Sequence, residues 1–257
     1  MAILVAIIFF ADLIYTQSAF TLNPNKILLP PSFENPLGTD RLGRDLLARI
    51  LEGGKTSLIV GVGSALIGTF IGLIIGTFAG YFKGNIDKTI VILIDLFLTF
   101  PTFFLLLTLV SYIKASAYIL IIVIAITGWM GTSRLIRSES FAITKQPFIK
   151  ILKIANTPII KILFKYYLPL LLPIFLVSFT FGVGGAILAE SGLSFLGLGI
   201  TAPDMSWGTL LSEGKEVMGS AWWMGFFPGL MIFLVTFSLM NISDFLQKSI
   251  NKKKSLI

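Results

Sequence analysis

The sequence predicts an all-α polytopic membrane protein with six transmembrane helices, and three observations carry that prediction. Hydrophobic residues make up 55% of the 257 and charged residues only 13%, with a mean hydropathy of +0.91. That is more apolar surface than a soluble domain of this length can bury. The apolar residues are also gathered into long runs free of Asp, Glu, Lys and Arg, and a helix needs about 20 such residues to cross a hydrocarbon core. The basic excess between the runs is gathered in 134–165 and in the tail, whereas 18–55 is nearly balanced and is placed outside by alternation.

The first span is expected over 1–22, although Asp12 interrupts it and Thr16-Gln17-Ser18 turn it polar. A cleaved signal peptide competes for this stretch, since small residues follow the apolar run, but no Lys or Arg precedes it as a signal's basic region requires. The missing basic tail also suggests that the chain starts inside a longer one. Residues 23–55 form an outer segment. After the turn-rich Asn35-Pro36-Leu37-Gly38, Leu42, Leu46, Leu47 and Ile50 share one face, so 43–54 reads as an amphipathic helix lying at the membrane surface.

A core of five further spans follows over 56–247, at about 56–82, 89–113, 115–133, 166–189 and 217–243, and a basic tail closes the chain at 248–257. In the first of these spans Gly68, Gly72, Gly76 and Gly80 recur every fourth residue, which aligns them for close approach of another helix, expected within this chain. Asp95 is the single charge in 89–113, six residues before Pro101. A carboxylate there costs at least about 2.5 kcal/mol unless paired or wet, and a proline removes a backbone donor and bends the helix. Asp95 and Pro101 are therefore candidates for a translocation path, with a structural ion pair as the alternative. Glu190 falls at an outer boundary, where solvation is expected.

Charge sets the orientation, because short cytoplasmic loops are enriched in Lys and Arg. Segment 134–165 holds seven basic residues against Glu139, and the tail adds Lys248 and Lys252-Lys253-Lys254. Segment 191–216 carries three acids against Lys215 and is placed outside. Both termini are then cytoplasmic, and the formal net charge of +7 is accounted for by topology and lipid contact, with no nucleic-acid signature.

The chain has no His and no Cys, which removes His/Cys zinc sites, disulfides and Ser-His or Cys-His nucleophiles. No GxxxxGK[ST] phosphate loop occurs, so a nucleotide site would lie on another chain. No catalytic residue, metal site or cofactor is assigned. The cytoplasmic loop 138–165 is too polar to span. It reads as a helix near 147–155, a break at Asn156-Thr157-Pro158 and a second helix from Ile159, a projection able to dock on a soluble partner.

Three motifs resemble the inner-membrane permeases of dipeptide, oligopeptide and nickel ABC importers, specifically the subunit with the shorter outer N-terminal region. They are Pro36-Leu37-Gly38-Thr39-Asp40 with Gly43-Arg44-Asp45; Leu193-Ser194-Phe195-Leu196-Gly197-Leu198-Gly199 with Pro203 and Trp207-Gly208; and Ala221-Trp222-Trp223 with Phe227-Pro228-Gly229. The resemblance implies the type I ABC importer permease fold in a bacterial inner membrane. It implies a second permease, two ATPase subunits and an extracytoplasmic substrate-binding protein as partners, with di- or oligopeptide cargo and a nickel chelate as the alternative. It also implies ATPase coupling through Pro147, Phe148, Ile149, Lys150, Ile151, Leu152, Asn156 and Thr157. Where the family has Glu-Ala-Ala and then Gly, this chain has Lys150-Ile151-Leu152 and Asn156. An ion-coupled secondary transporter or channel is the rival from a different class; it requires charges or broken helices within the bilayer.

Overall fold

The computed structural model describes residues 1–11 and 15–254, and among them every regular element is helical. The elements are α1 (Ala2–Phe9), a short 3-10 turn (Pro24–Lys26), α2 (Leu46–Phe82), α3 (Gly84–Leu98), α4 (Thr102–Ser111), α5 (Ala117–Thr144), α6 (Pro147–Ile154), α7 (Ile159–Ile162), α8 (Leu168–Phe195), α9 (Trp207–Lys215) and α10 (Trp223–Lys254). A single π turn (Leu163–Tyr167) joins α7 to α8, making one helical path from Ile159 to Phe195.

Four helical stretches are long and apolar enough to cross a membrane: Leu46–Phe82, Ala117–Thr144, Ile159–Phe195 and Trp223–Ile250. A fifth is the broken pair α3 and α4, bent by 75°. The expected count of six is thus not reached among the described residues. At the first span the described helix is the eight-residue α1, and part of the 1–22 stretch lies outside the described residues.

The amphipathic helix expected over 43–54 is not a separate surface element. Its residues 46–54 are the first quarter of α2, which runs unbroken for 37 residues, and residues 43–45 precede that helix. At Gly53 and Gly54 the missing side chains admit the Ser206 backbone and the Trp207 ring to within about 3 Å of where a Cβ would stand. The helix is therefore covered there by protein.

α2 is the axis of the molecule. Its glycine stripe is consumed within the chain: Gly68 faces the Ala125 carbonyl, Gly72 that of Trp129, Gly76 that of Ser133 and Gly80 that of Arg137. The register rises together on both helices, so α2 and α5 run parallel. α8 runs antiparallel to α2, since Gly61 meets Ile187 and Gly182 meets Ala65, and α10 runs back along α8, with the Ser243 hydroxyl on the Val177 carbonyl. The molecule has two ends. One gathers residues 23–58 and 190–225; the other gathers the end of α2, the end of α5, and α6 to the start of α8.

Candidate functional site

At the first end the three resembling motifs fold into one polar clasp. Asp45 caps α2, its Oδ1 accepting from Ala48 N at 2.8 Å and its Oδ2 from Asn35 Nδ2 at 2.8 Å. Asp40 is fully buried. Its Oδ1 accepts from the Leu42 and Arg44 amides at 2.8 and 2.9 Å, and its Oδ2 from Arg44 Nε at 2.6 Å and Arg49 Nη1 at 2.7 Å. Arg49, also buried, reaches Glu213 on α9 at 2.5 and 3.0 Å. The tight Asp40–Arg44 loop depends on Gly43, whose φ is +69° and where an added Cβ would lie 1.8 Å from the Asn23 carbonyl oxygen. Trp223 then donates from Nε1 to the Thr39 carbonyl at 3.2 Å, against Gly38, where an added Cβ would strike the indole.

The second motif completes the clasp from below. Trp207 is fully buried; its Nε1 donates to the Ile50 carbonyl at 2.9 Å and its amide to Ser57 Oγ at 3.0 Å. Gly208 lies against the Ser191 backbone and Gly199 against Ser194, each too close for a side chain. The Lys215 ammonium sits 4.7 Å from the centre of the half-buried Phe195 ring, and Leu196 and Gly197 form the exposed turn after α8.

Glu190 corrects the expectation of a solvated boundary residue. It is fully buried and accepts from Ser206 Oγ at 2.6 Å, Ser194 Oγ at 2.7 Å, Ser191 Oγ at 3.4 Å and Ser57 Oγ at 3.5 Å. Ser206 also accepts from the Thr209 amide at 3.1 Å, and Ser57 from the Trp207 amide. Both hydroxyls thus have a lone pair occupied and turn their protons to the carboxylate. Through them Glu190 is linked to the N-terminus of α9, where helix amides favour a negative charge.

Between the two ends lies the break. Asp95 pairs with Arg134, and Asp87 with Arg137 through both carboxylate oxygens. Pro101 stands just before α4, at the 75° bend. Ion pairing is thus the local arrangement of Asp95, and the break near Pro101 is real. Sequence reasoning singled out neither arginine nor Asp87. Their signal was the spacing: two aspartates eight residues apart facing two arginines three apart.

At the second end α6 stands on a buried peg. Ile149 is fully buried in a cluster with Ile136, Ile143, Ile162 and Tyr167. Its neighbours point outward: Phe148, Ile151 and Ile154 are exposed, the last two by 65% and 81%, as is Lys150, while Pro147 starts the helix and Leu152 is half-buried. The helix stops in a closed cap, with Asn156 N donating to the Lys153 carbonyl and Thr157 N to the Leu152 carbonyl, each at 3.1 Å. Asn156 has φ +50°, the left-handed geometry that glycine usually supplies and that asparagine tolerates. The cap is tied to the long helices. Lys153 lies 4.4 Å over the Tyr81 ring of α2, Tyr81 packs edge-on against Tyr167, and the Tyr167 hydroxyl meets Thr144 at 2.8 Å.

Residues 72–255 match the family model of the binding-protein-dependent transport system inner membrane component. The dipeptide transport system permease protein DppC of Bacillus subtilis is 35% identical over 226 residues, covering 88% of this chain and 71% of that protein. DppC of Alkalihalophilus pseudofirmus is 37% identical over 255 residues, 98% of this chain and 82% of its own length. The oligopeptide transport system permease protein OppC of Mycobacterium tuberculosis is 35% identical over 216 residues, 83% and 74% of the two chains. Among solved structures, an inward-facing form of the MetNI methionine ABC transporter superposes with a TM-score of 0.59 at 16% identity, covering 78% of this chain and 96% of that one. A second crystal form gives 0.54. The structural likeness establishes the fold.

Proposed function

This chain belongs to the family of binding-protein-dependent transport system inner membrane components, and we propose that it is the permease through which such an importer couples ATP hydrolysis on separate subunits to peptide uptake. It is a transport subunit and not an enzyme, and its fold is that of a type I ABC importer permease. In the proposed assembly it pairs with a second permease, two ATPase subunits and an extracytoplasmic binding protein. The clasp end faces outward, and both termini are cytoplasmic. Cargo is a dipeptide or short oligopeptide, in keeping with the names of the relatives; a nickel chelate is the other outcome a cargo assay would report.

The observation that carries the reading is α6. It is held by one buried isoleucine and a closed cap, yet presents Phe148, Ile151 and Ile154 uncovered with Lys150 among them. An amphipathic helix with a free apolar face is built to lie in a groove of a partner. Here that partner is the ATPase, and Tyr81, Tyr167 and Thr144 carry its displacement into α2, α8 and α5. The kink at 99–101 and Asp95 give the bundle a place to open a path.

The test uses the absence of native cysteine. Lys150→Cys and Ile151→Cys, in the assembled importer, should crosslink to cysteines lining the ATPase groove, with a yield that changes when nucleotide is added. An assembled complex that gives no such crosslink would show that α6 is not the coupling element.

A further inference from the structure

We infer that Asp95 and Arg134 together form a transit site for the two charged ends of a zwitterionic cargo, on a water-filled path near the middle of the membrane. The inference rests on the reading of the chain as an import permease.

Depth is the first argument. The exposed apolar residues of α2 run from Ile59 through Val62, Leu66, Phe70 and Phe78 to Phe82, about 35 Å at 1.5 Å per residue, close to the about 30 Å of a hydrocarbon core. α2 is thus a ruler. Gly76 lies against Ser133 and Gly72 against Trp129, which sets Arg134 level with Gly76, six residues or about 9 Å inside the Phe82 boundary. Asp95 is deeper, because its neighbour Ile94 packs with Trp129 and Met130, level with Gly72. Helix side chains lean toward their own N-terminus, so Arg134 reaches away from the cytoplasmic interface to meet Asp95. This is the reverse of snorkelling.

Exposure is the second. The two side chains are 52% and 56% exposed, and the neighbouring Gly131 and Gly128 of α5 are exposed with nothing within 4 Å of where a Cβ would stand. Even when paired, charged side chains at membrane depth face the bundle interior or a water-filled cavity and not lipid, so the exposed side of this pair is expected to be wet. Nor is the pair needed to hold α3 to α5, since Arg137 and Asp87, nearer the helix ends and better covered, already make a two-pronged bridge.

Chemistry is the third. A free peptide carries an ammonium and a carboxylate. Opened by such a cargo, the pair offers Asp95 to the ammonium and the planar guanidinium of Arg134 to the carboxylate. Two charge-assisted contacts replace one ion pair and a hydrated cargo, and the pair re-forms behind the leaving molecule, so the site holds cargo without trapping it.

The test places a single reporter beside the pair, Gly131→Cys, in the complete importer in inside-out vesicles without nucleotide. A membrane-impermeant thiosulfonate should modify it. Alanyl-alanine should slow that modification as 1 + [L]/Kd, about fivefold at four times Kd, whereas N-acetyl-alanyl-alanine amide should not. The protection should vanish when Asp95→Asn and Arg134→Gln are combined. Modification only by a lipid-soluble maleimide would mean that the pair meets no water, and equal protection by the capped peptide would mean that charge is not read; either overturns the inference. The Lys150→Cys crosslink, made in the same preparation, separates these failures from failure of the importer reading.

Discussion

A carboxylate removed from water costs several kcal/mol unless its lone pairs are met, and Glu190 meets them with hydroxyls from α2, α8 and the cap of α9. The arrangement is specific because the backbone amides of Trp207 and Thr209 fill the other side of Ser57 and Ser206. Glu190→Ala leaves those hydroxyls aimed at an empty space and should destabilise the chain by about 3 kcal/mol. The measurement is the thermal midpoint of the detergent-solubilised complex. Glu190→Gln keeps one acceptor and should fall between; a midpoint unchanged in both variants would mean that the cage contributes nothing. None of this was legible beforehand. The sequence shows that Glu190 ends an apolar run, but its four serine partners span positions 57 to 206, and only folding brings them together.

Among the elements, α6 shows how a departure from a family pattern is absorbed. Asn156 stands where glycine is usual, and the cap closes at φ +50° because asparagine accepts positive φ at small cost. A β-branched residue does not. Asn156→Val should weaken the cap by about 1–2 kcal/mol and lower binding-protein-stimulated ATPase activity relative to the basal rate, while Asn156→Gly leaves both unchanged. Equal activity of the valine variant would show that the cap geometry is irrelevant to coupling. The helix, break and second helix were readable from the polarity of the loop and from Asn156-Thr157-Pro158, since breaks and caps are local. The surface helix expected over 43–54 instead continues into the span as one helix from Leu46 to Phe82, where Gly53 and Gly54 seat Ser206 and Trp207, a contact that local periodicity does not show.

For the whole molecule, parallel packing of α2 on α5 and antiparallel packing of α8 on α2 place the clasp and α6 at opposite ends of one bundle. A reporter fused after Ile257 should therefore be active only in a form that works in the cytoplasm, and one inserted at Pro203 only in a form that works outside. The opposite pattern would invert the proposed orientation. The sequence by itself determined that this is a helical membrane protein, roughly where the bundle's long helices lie, that the span after 89 bends at Pro101, and which family it resembles. Those properties follow from local composition, from proline's missing donor and from motifs read in order. The tertiary structure alone decided that three motifs are one clasp, that the glycine stripe is spent on α5, and that Asp95 and Asp87 answer Arg134 and Arg137. In a chain so uniformly apolar, periodicity does not tell one helix face from another, so partners far apart in sequence are chosen by packing.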